Sequence, residues 1–234
     1  MTASENTLAS GKFFRFWSAA NEPRAVVLIS HGLGEHSGRY EHVAAALTAD
    51  NLDVYAPDHI GHGKSPGKPA YIDRFSDLTS GVSELRDHIR RHHAGLPVIL
   101  IGHSMGGLIA IRLALGAHAD YAGLILTGPL LGLPDTPSRL QVMLLRVLSV
   151  LAPTIKATEI DASAVSRDPA VVSDYIADPL VHHDNIPARM VVSLFDETAQ
   201  VMNEASSLQL PVLLLHGAED KLTSVTASEA FFEK

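Results

Sequence analysis

A serine between two glycines, Gly102-His103-Ser104-Met105-Gly106, stands where an apolar run, Pro97 to Ile101, gives way to a helical pattern. A strand that turns sharply into a helix strains its apex residue and leaves little room for side chains two positions before and after it. Gly102 and Gly106 meet that demand. The Ser104 hydroxyl then projects clear of the sheet. The next amide, on Met105, lies at a helix N-terminus, where negative charge is favoured. A serine that merely caps a helix is the plainer alternative, and the double-glycine context favours an attacking hydroxyl over it.

The rest of the chain supplies the sheet such a turn needs. Leu8 to Ser18 mixes aromatic and polar residues and ends at Asn21-Glu22-Pro23, the pattern of a hairpin or edge strand. Ala25 to Ser30 is continuously apolar, as in a strand covered on both faces, and it stops at the loop His31-Gly32-Leu33-Gly34. Helical spacing over Tyr40 to Asp50 and a strand over Leu52 to Ala56 follow. After the turn-rich His59 to Gly67 come a helix over Phe75 to His93, the strand Val98 to Ile101, a helix from Met105 to about Leu115 and the strand Gly123 to Thr127. Repeated strand-helix units of this kind predict an α/β fold, mainly parallel, with helices on both faces.

Gly128 to Leu210 is too long for one crossover helix, which predicts an inserted cap over 129–188 between core segments 1–128 and 189–234. Within it, Leu140 to Leu151 is apolar except for Gln141, Arg146 and Ser149. All-round hydrophobicity predicts a helix buried between cap and core. A lid that offers apolar surface to lipid or acyl chains is the alternative. Asp178-Pro179 and Ile186-Pro187 interrupt the middle, Arg189 to Ser206 returns as a helix, and Pro211 to Leu215 is the last strand.

Composition narrows the chemistry. A net charge of −8 without clusters of Lys or Arg argues against nucleic acid and anionic membrane surfaces as partners. With no cysteine there is no disulfide, thiolate nucleophile or Cys-based zinc site. The pairs His92-His93 and His182-His183 are adjacent rather than convergent and read as solvated surface residues, so no metal is expected. Met1 to Gly11 lacks the features of an export signal and no run approaches a membrane span, which leads to the expectation of a soluble, cytoplasmic protein.

Acyl transfer needs a nucleophile, a base, an acid that orients the base, and donors for the oxyanion. Ser104 is the candidate nucleophile. Asp220, after the last apolar strand, is the candidate acid, with a loop-capping role as its alternative. The Leu33 amide can join that of Met105 as an oxyanion donor, or the loop that carries it can be a simple tight turn.

At this point the chain resembles an α/β-hydrolase of the monoacylglycerol lipase and lysophospholipase-like serine hydrolase family. The matching stretches are His31 to Tyr40, Asp58 to Ser65, Gly102 to Gly107, Asp178 to Val181 and His216 to Asp220. The resemblance implies Ser104 as nucleophile, Asp220 as triad acid and an oxyanion hole from the Leu33 and Met105 amides. It also implies Glu35, Arg39, His103 and Tyr175 near the pocket for the polar head group, an acyl-ester lipid as substrate, no metal or organic cofactor, and room for transient peripheral membrane contact through the cap. Ile60 stands where relatives commonly carry a polar residue, often Arg.

The family's triad histidine lies in a loop after one further strand, and no histidine follows Asp220 here. The expectation is therefore a C-terminally shortened hydrolase with little turnover, an exposed apolar edge at Pro211 to Leu215, and low stability or a tendency to associate. Among the 13 histidines, His216 is the substitute base whose expected position is nearest. Short-chain esterase, thioesterase and lysophospholipase activities remain open, as does a non-catalytic module that binds acyl lipids.

Overall fold

The alternation of strands and helices read from the sequence is realised in a computed structural model that describes residues 3–117, 120–135 and 137–234. In chain order the elements are β1 (Ser4–Thr7), β2 (Phe13–Trp17), β3 (Ala25–Ser30), α1 (Glu41–Ala49), β4 (Leu52–Pro57), α2 (Ser76–His92), β5 (Val98–His103), α3 (Met105–Gly116) and β6 (Gly123–Thr127). Then come α4 (Arg139–Leu151), β7 (Lys156–Thr158), α5 (Pro169–Ala177), β8 (Ile186–Pro187), α6 (Ala188–Glu204), β9 (Val212–Leu215) and α7 (Val225–Phe232). Seven strands form one sheet in the order β1-β2-β4-β3-β5-β6-β9, antiparallel up to β4 and parallel from there on. β7 and β8 pair separately. Of the reading of Met1 to Gly11, residues 1 and 2 lie outside the described residues.

Period-two alternation along the central strands feeds two cores. Val26 and Leu28 of β3, with Leu100 of β5 and Leu124 and Leu126 of β6, face α2, α3 and α6. Val27, Ile29, Val54 and Ile101 face the opposite way, toward Ala44 of α1. This is why β3 is apolar at every position: both of its faces are covered. The cover thins toward β9. In register with Ile101 and Ile125 lies Leu213, which is 51% exposed, as is Leu215.

Two expectations need correction. α4 is not buried between layers: only Val142, Leu145 and Ser149 turn inward, while Leu144 and Leu151 are 53% and 78% exposed. All-round apolarity counts residues without saying which side meets the core, and this helix has its partner, α6, on one side. Of the four paired histidines, His92 and His183 are exposed, but His93 reaches an aromatic cluster and shares a 2.8 Å hydrogen bond with the Tyr55 hydroxyl. His182 also turns inward and buries its Nε2.

Candidate active site

β5 runs two residues beyond the apolar run, through Gly102 and His103, and α3 starts at once on Met105. The single residue between them, Ser104, takes φ 50° and ψ −118°. For a residue with a Cβ this is strained backbone, held by its surroundings. A Cβ on Gly102 would overlap the Gly106 carbonyl and come within 2.8 Å of the Ala110 side chain; one on Gly106 would overlap the Ser30 carbonyl oxygen. The glycines are therefore required by close packing of β3, β5 and α3, as the sequence implied. Backbone bonds fix the apex: Ser104 N–H donates to Thr127 O at 3.1 Å, and Leu130 N–H donates to Ser104 O at 2.9 Å.

The loop after β3 is pinned beside the apex. His59 N–H donates to His31 Nε2 at 2.9 Å, so the His31 proton sits on Nδ1, which donates to Gly32 O at 2.8 Å. In a trans peptide the carbonyl and the next N–H point in opposite directions. Holding the Gly32 carbonyl thus turns the Leu33 N–H the other way, and that N–H has no acceptor among the described residues. A Cβ built on Gly32 would lie 3.4 Å from Ser104 Cβ, so the loop passes directly over the serine. Met105 N–H, as the first amide of α3, precedes the first intrahelical bond.

Glu35 braces the same loop. Its Oε1 accepts from Gly32 N–H at 2.6 Å and from the Tyr40 hydroxyl at 2.7 Å, and Oε2 lies 3.4 Å from Arg39 Nε. Burial pushes the Glu35 carboxyl up, but His103, His31 and these two hydrogen bonds outweigh it and hold the carboxyl below its ordinary range. The Arg39 guanidinium lies over the Tyr175 ring, 4.9 Å from its centre. His103 Nδ1 donates to Thr127 O at 2.9 Å.

Asp220 comes from the loop after β9. Its Oδ1 accepts from Leu222 N–H and Thr223 N–H at 2.8 and 2.9 Å, and Thr223 Oγ1 lies 2.9 Å from Oδ2. Partial burial raises this carboxyl, and the Thr223 and Leu222 bonds with nearby His216 more than offset it, leaving Asp220 below the usual carboxylate range. Across from Asp220, Gly128 has φ +48°, and a Cβ there would lie 3.2 Å from Asp220 Oδ2. His216 is near, with Nε2 3.4 Å from Asp220 Oδ2, yet it points elsewhere. Its Nδ1 bonds Ser228 Oγ of α7 at 2.8 Å and its Nε2 lies 3.2 Å from Thr223 Oγ1. Among the described residues, no histidine hydrogen-bonds the Ser104 hydroxyl.

These loops close on one cavity of about 590 Å³. Ser104, Leu33, Glu35, Arg39, His103, Tyr175 and Asp220 all line it, and Met105 lies directly behind Ser104. Val142 and Leu145 of α4, with Leu194 and Phe195 of α6, form an apolar wall. Among the described residues, no three His, Asp or Glu side chains are grouped as metal ligands would be. Three contributors escaped the sequence reading: His31 and Tyr40, which brace the Gly32-Leu33 loop directly and through Glu35, and Thr223, which holds Asp220. An Asp side chain that accepts from the backbone two residues on makes an Asx turn, as Asp220 does with Leu222 N–H at 2.8 Å.

A family model described as "Hydrolase_4: Serine aminopeptidase, S33" matches residues 21–234. The chain is 38% identical to a monoacylglycerol lipase of Mycolicibacterium smegmatis, over 93% of this chain and 78% of that one. It is 36% identical to the human monoglyceride lipase, over 90% and 70%. The chain belongs to this α/β-hydrolase family. Among solved structures, that of the Paleococcus ferrophilus monoacylglycerol lipase matches with a TM-score of 0.84 and 34% identity, over all of this chain and 84% of that one. Membership fixes the fold and the hydrolase class, and in hydrolases of this fold the nucleophile elbow sits at the carboxyl edge of the sheet. β5 delivers Ser104 there.

Proposed function

We propose that this chain is a serine carboxyl-ester hydrolase for monoacylglycerols or similar single-chain acyl esters. The observation that carries the reading is one cavity lined by Ser104, by Leu33 with its unengaged amide, by apolar residues of α4 and α6, and by the polar Glu35, Arg39 and Tyr175. Ser104 Oγ attacks the ester carbonyl, the Leu33 and Met105 amides hold the resulting oxyanion, and Asp220 orients the imidazolium of a base. The apolar wall favours a long acyl chain over the acetyl groups of short-chain esters. Carboxyl thioesters and lysophospholipids present the same carbonyl and stay as rivals in substrate choice.

The segment 129–188 acts as the cap in this reading, between core segments 1–128 and 189–234. The outward apolar side of α4 gives it transient contact with lipid surfaces. Among the described residues no helix is long and apolar enough to cross a membrane. Among the described residues, His216 is the histidine that lies against Asp220, with its Nε2 3.4 Å from Oδ2. The apolar wall of the cavity also suits a second reading, an acyl-lipid binding module.

Hydrolysis of 1-decanoylglycerol by the chain and by its Ser104→Ala and His216→Ala variants separates these readings. Hydrolysis abolished by Ser104→Ala and unaffected by His216→Ala is the expected result. Hydrolysis lost in both variants makes His216 the base. Decanoyl ligand bound equally by the parent and Ser104→Ala, with no hydrolysis, supports the binding module instead.

A further inference from the structure

Family resemblance puts Glu35 among the contacts to the substrate's head group, yet its carboxylate is already committed. Oε1 accepts two hydrogen bonds, 2.6 Å from Gly32 N and 2.7 Å from the Tyr40 hydroxyl, and Oε2 faces Arg39 Nε at 3.4 Å. The side chain is only 13% exposed. Gly32 is thereby gripped at both ends, its N–H by Glu35 and its C=O by the His31 imidazole at 2.8 Å. The next amide is that of Leu33, a candidate oxyanion donor, and two clamps on one residue leave its direction little freedom. A negative charge this close to a developing oxyanion works against it by Coulomb repulsion. Catalysis gains from Glu35 only if holding the loop outweighs that repulsion.

We infer that Glu35, supported by Tyr40, is a positioning residue for the oxyanion hole: it locks Gly32 so that the Leu33 amide faces the Ser104 adduct, and it acts through hydrogen-bond acceptance rather than charge. The inference rests on Ser104 being the nucleophile. It predicts that a neutral acceptor of the same shape serves as well as the carboxylate. Glutamine keeps a carbonyl Oε1 for both Gly32 N–H and Tyr40 O–H and removes the charge; alanine removes the clamp itself.

Octylboronic acid reads this out without requiring a base in the protein. Ser104 Oγ adds to the trigonal boron, an O–B bond forms, the hydroxyl proton leaves to water, and the tetrahedral boronate carries the negative charge beside the amide donors. Octan-1-ol occupies the same apolar wall without forming an adduct. The quantity to measure by calorimetry is the ratio of the two Kd values in the parent, Glu35→Ala, Glu35→Gln, Tyr40→Phe and Ser104→Ala chains. The expected result is a preference for boronate reduced about tenfold in Glu35→Ala and about threefold in Tyr40→Phe, a modest fraction of the effect of deleting an oxyanion donor. In Glu35→Gln the preference is kept or strengthened.

If Glu35→Gln loses the preference as far as Glu35→Ala does, the charge is what matters and the inference is overturned. If both ligands weaken together, Glu35 is a head-group contact and the inference is equally overturned. Should Glu35→Ala not fold, the contrast between Glu35→Gln and Tyr40→Phe decides. An unchanged preference in Ser104→Ala is a different failure: the nucleophile assignment falls, and the inference falls with it.

Discussion

Ser104 pays for its position in backbone strain, and replacing it tests how much. Its φ of 50° and ψ of −118° are tolerated by glycine and disfavoured for any residue with a Cβ, by about 1–3 kcal/mol. Glycine adds about 0.5–1 kcal/mol of unfolded-chain entropy, so Ser104→Gly is expected to raise stability by about 1 kcal/mol while abolishing any hydrolysis. An unchanged or lower urea midpoint at unchanged slope would show that the strain is not stored there. The neighbouring glycines behave oppositely. Gly106→Ala places a methyl on the Ser30 carbonyl oxygen and is expected to destabilise by about 3 kcal/mol, the upper end of the overpacking range. Gly116→Ala, with open space around the added carbon, is expected to gain about 0.5 kcal/mol from helix propensity. Equal responses of the two sites in urea titrations would remove the steric account of the elbow.

Elements were legible in proportion to how fully their own residues determine them. β3 and β5 are buried on both faces, and their continuous apolar runs announce it. The elbow is equally plain, because sterics permit only glycine at the two flanking places. α7 had no reading from sequence. Its eight residues carry little apolar periodicity, and its start is marked only by Ser224, whose side chain accepts from Ala227 N–H. α4 was legible as a helix and misjudged in burial, since a sequence shows hydropathy and not the direction of the partner. Its outward side makes a prediction at this scale. Glutamate in place of Leu144 or Leu151 removes exposed apolar surface without opening the core, so stability is expected to move by less than about 0.5 kcal/mol. Binding to neutral phosphatidylcholine vesicles is expected to fall about tenfold for the pair, the loss of roughly 1.4 kcal/mol of apolar contact. Vesicle sedimentation that is indifferent to both changes would rule out α4 as the lipid-facing surface.

At the scale of the whole molecule, the loops that build the site also carry much of its pH sensitivity. These loops leave the carboxyl ends of β3, β4, β5, β6 and β9, where an open parallel sheet offers its crevice. Behind them His31, His59 and His62 pack together, with ring centres of His31 and His59 4.2 Å apart and of His31 and His62 5.5 Å apart. Burial is the chief cause that lowers all three, assisted by repulsion from other histidines: His36 on His31, His31 and His62 on His59, and His31 and His182 on His62; His59 falls well below its usual value and His62 to about 3. Asp58 acts in the other direction on His31 and His62 without restoring them. Each ring therefore takes up a proton less readily in the fold than in the unfolded chain, where it does so near pH 6.5. Below that pH the unfolded chain binds more protons, so stability falls as pH falls, and above it these groups contribute no slope. For His62 alone the loss is about 2 kcal/mol between pH 6.5 and 5, at about 1.4 kcal/mol per unit, and His31 and His59 add with the same sign. Glu35, Asp178 and Asp220, held below their ordinary values, extend the loss at lower pH as they become protonated. Urea titrations from pH 8 to 5 are expected to give a flat stability down to about pH 7 and a steep decline beneath 6.5. His62→Gln is expected to lessen that decline by about one proton's worth, roughly 1.4 kcal/mol per pH unit, whatever it does to stability at pH 8. A decline that His62→Gln leaves untouched would mean that this histidine is protonated in the fold without penalty, and that acid sensitivity resides in the other buried histidines and the carboxylates.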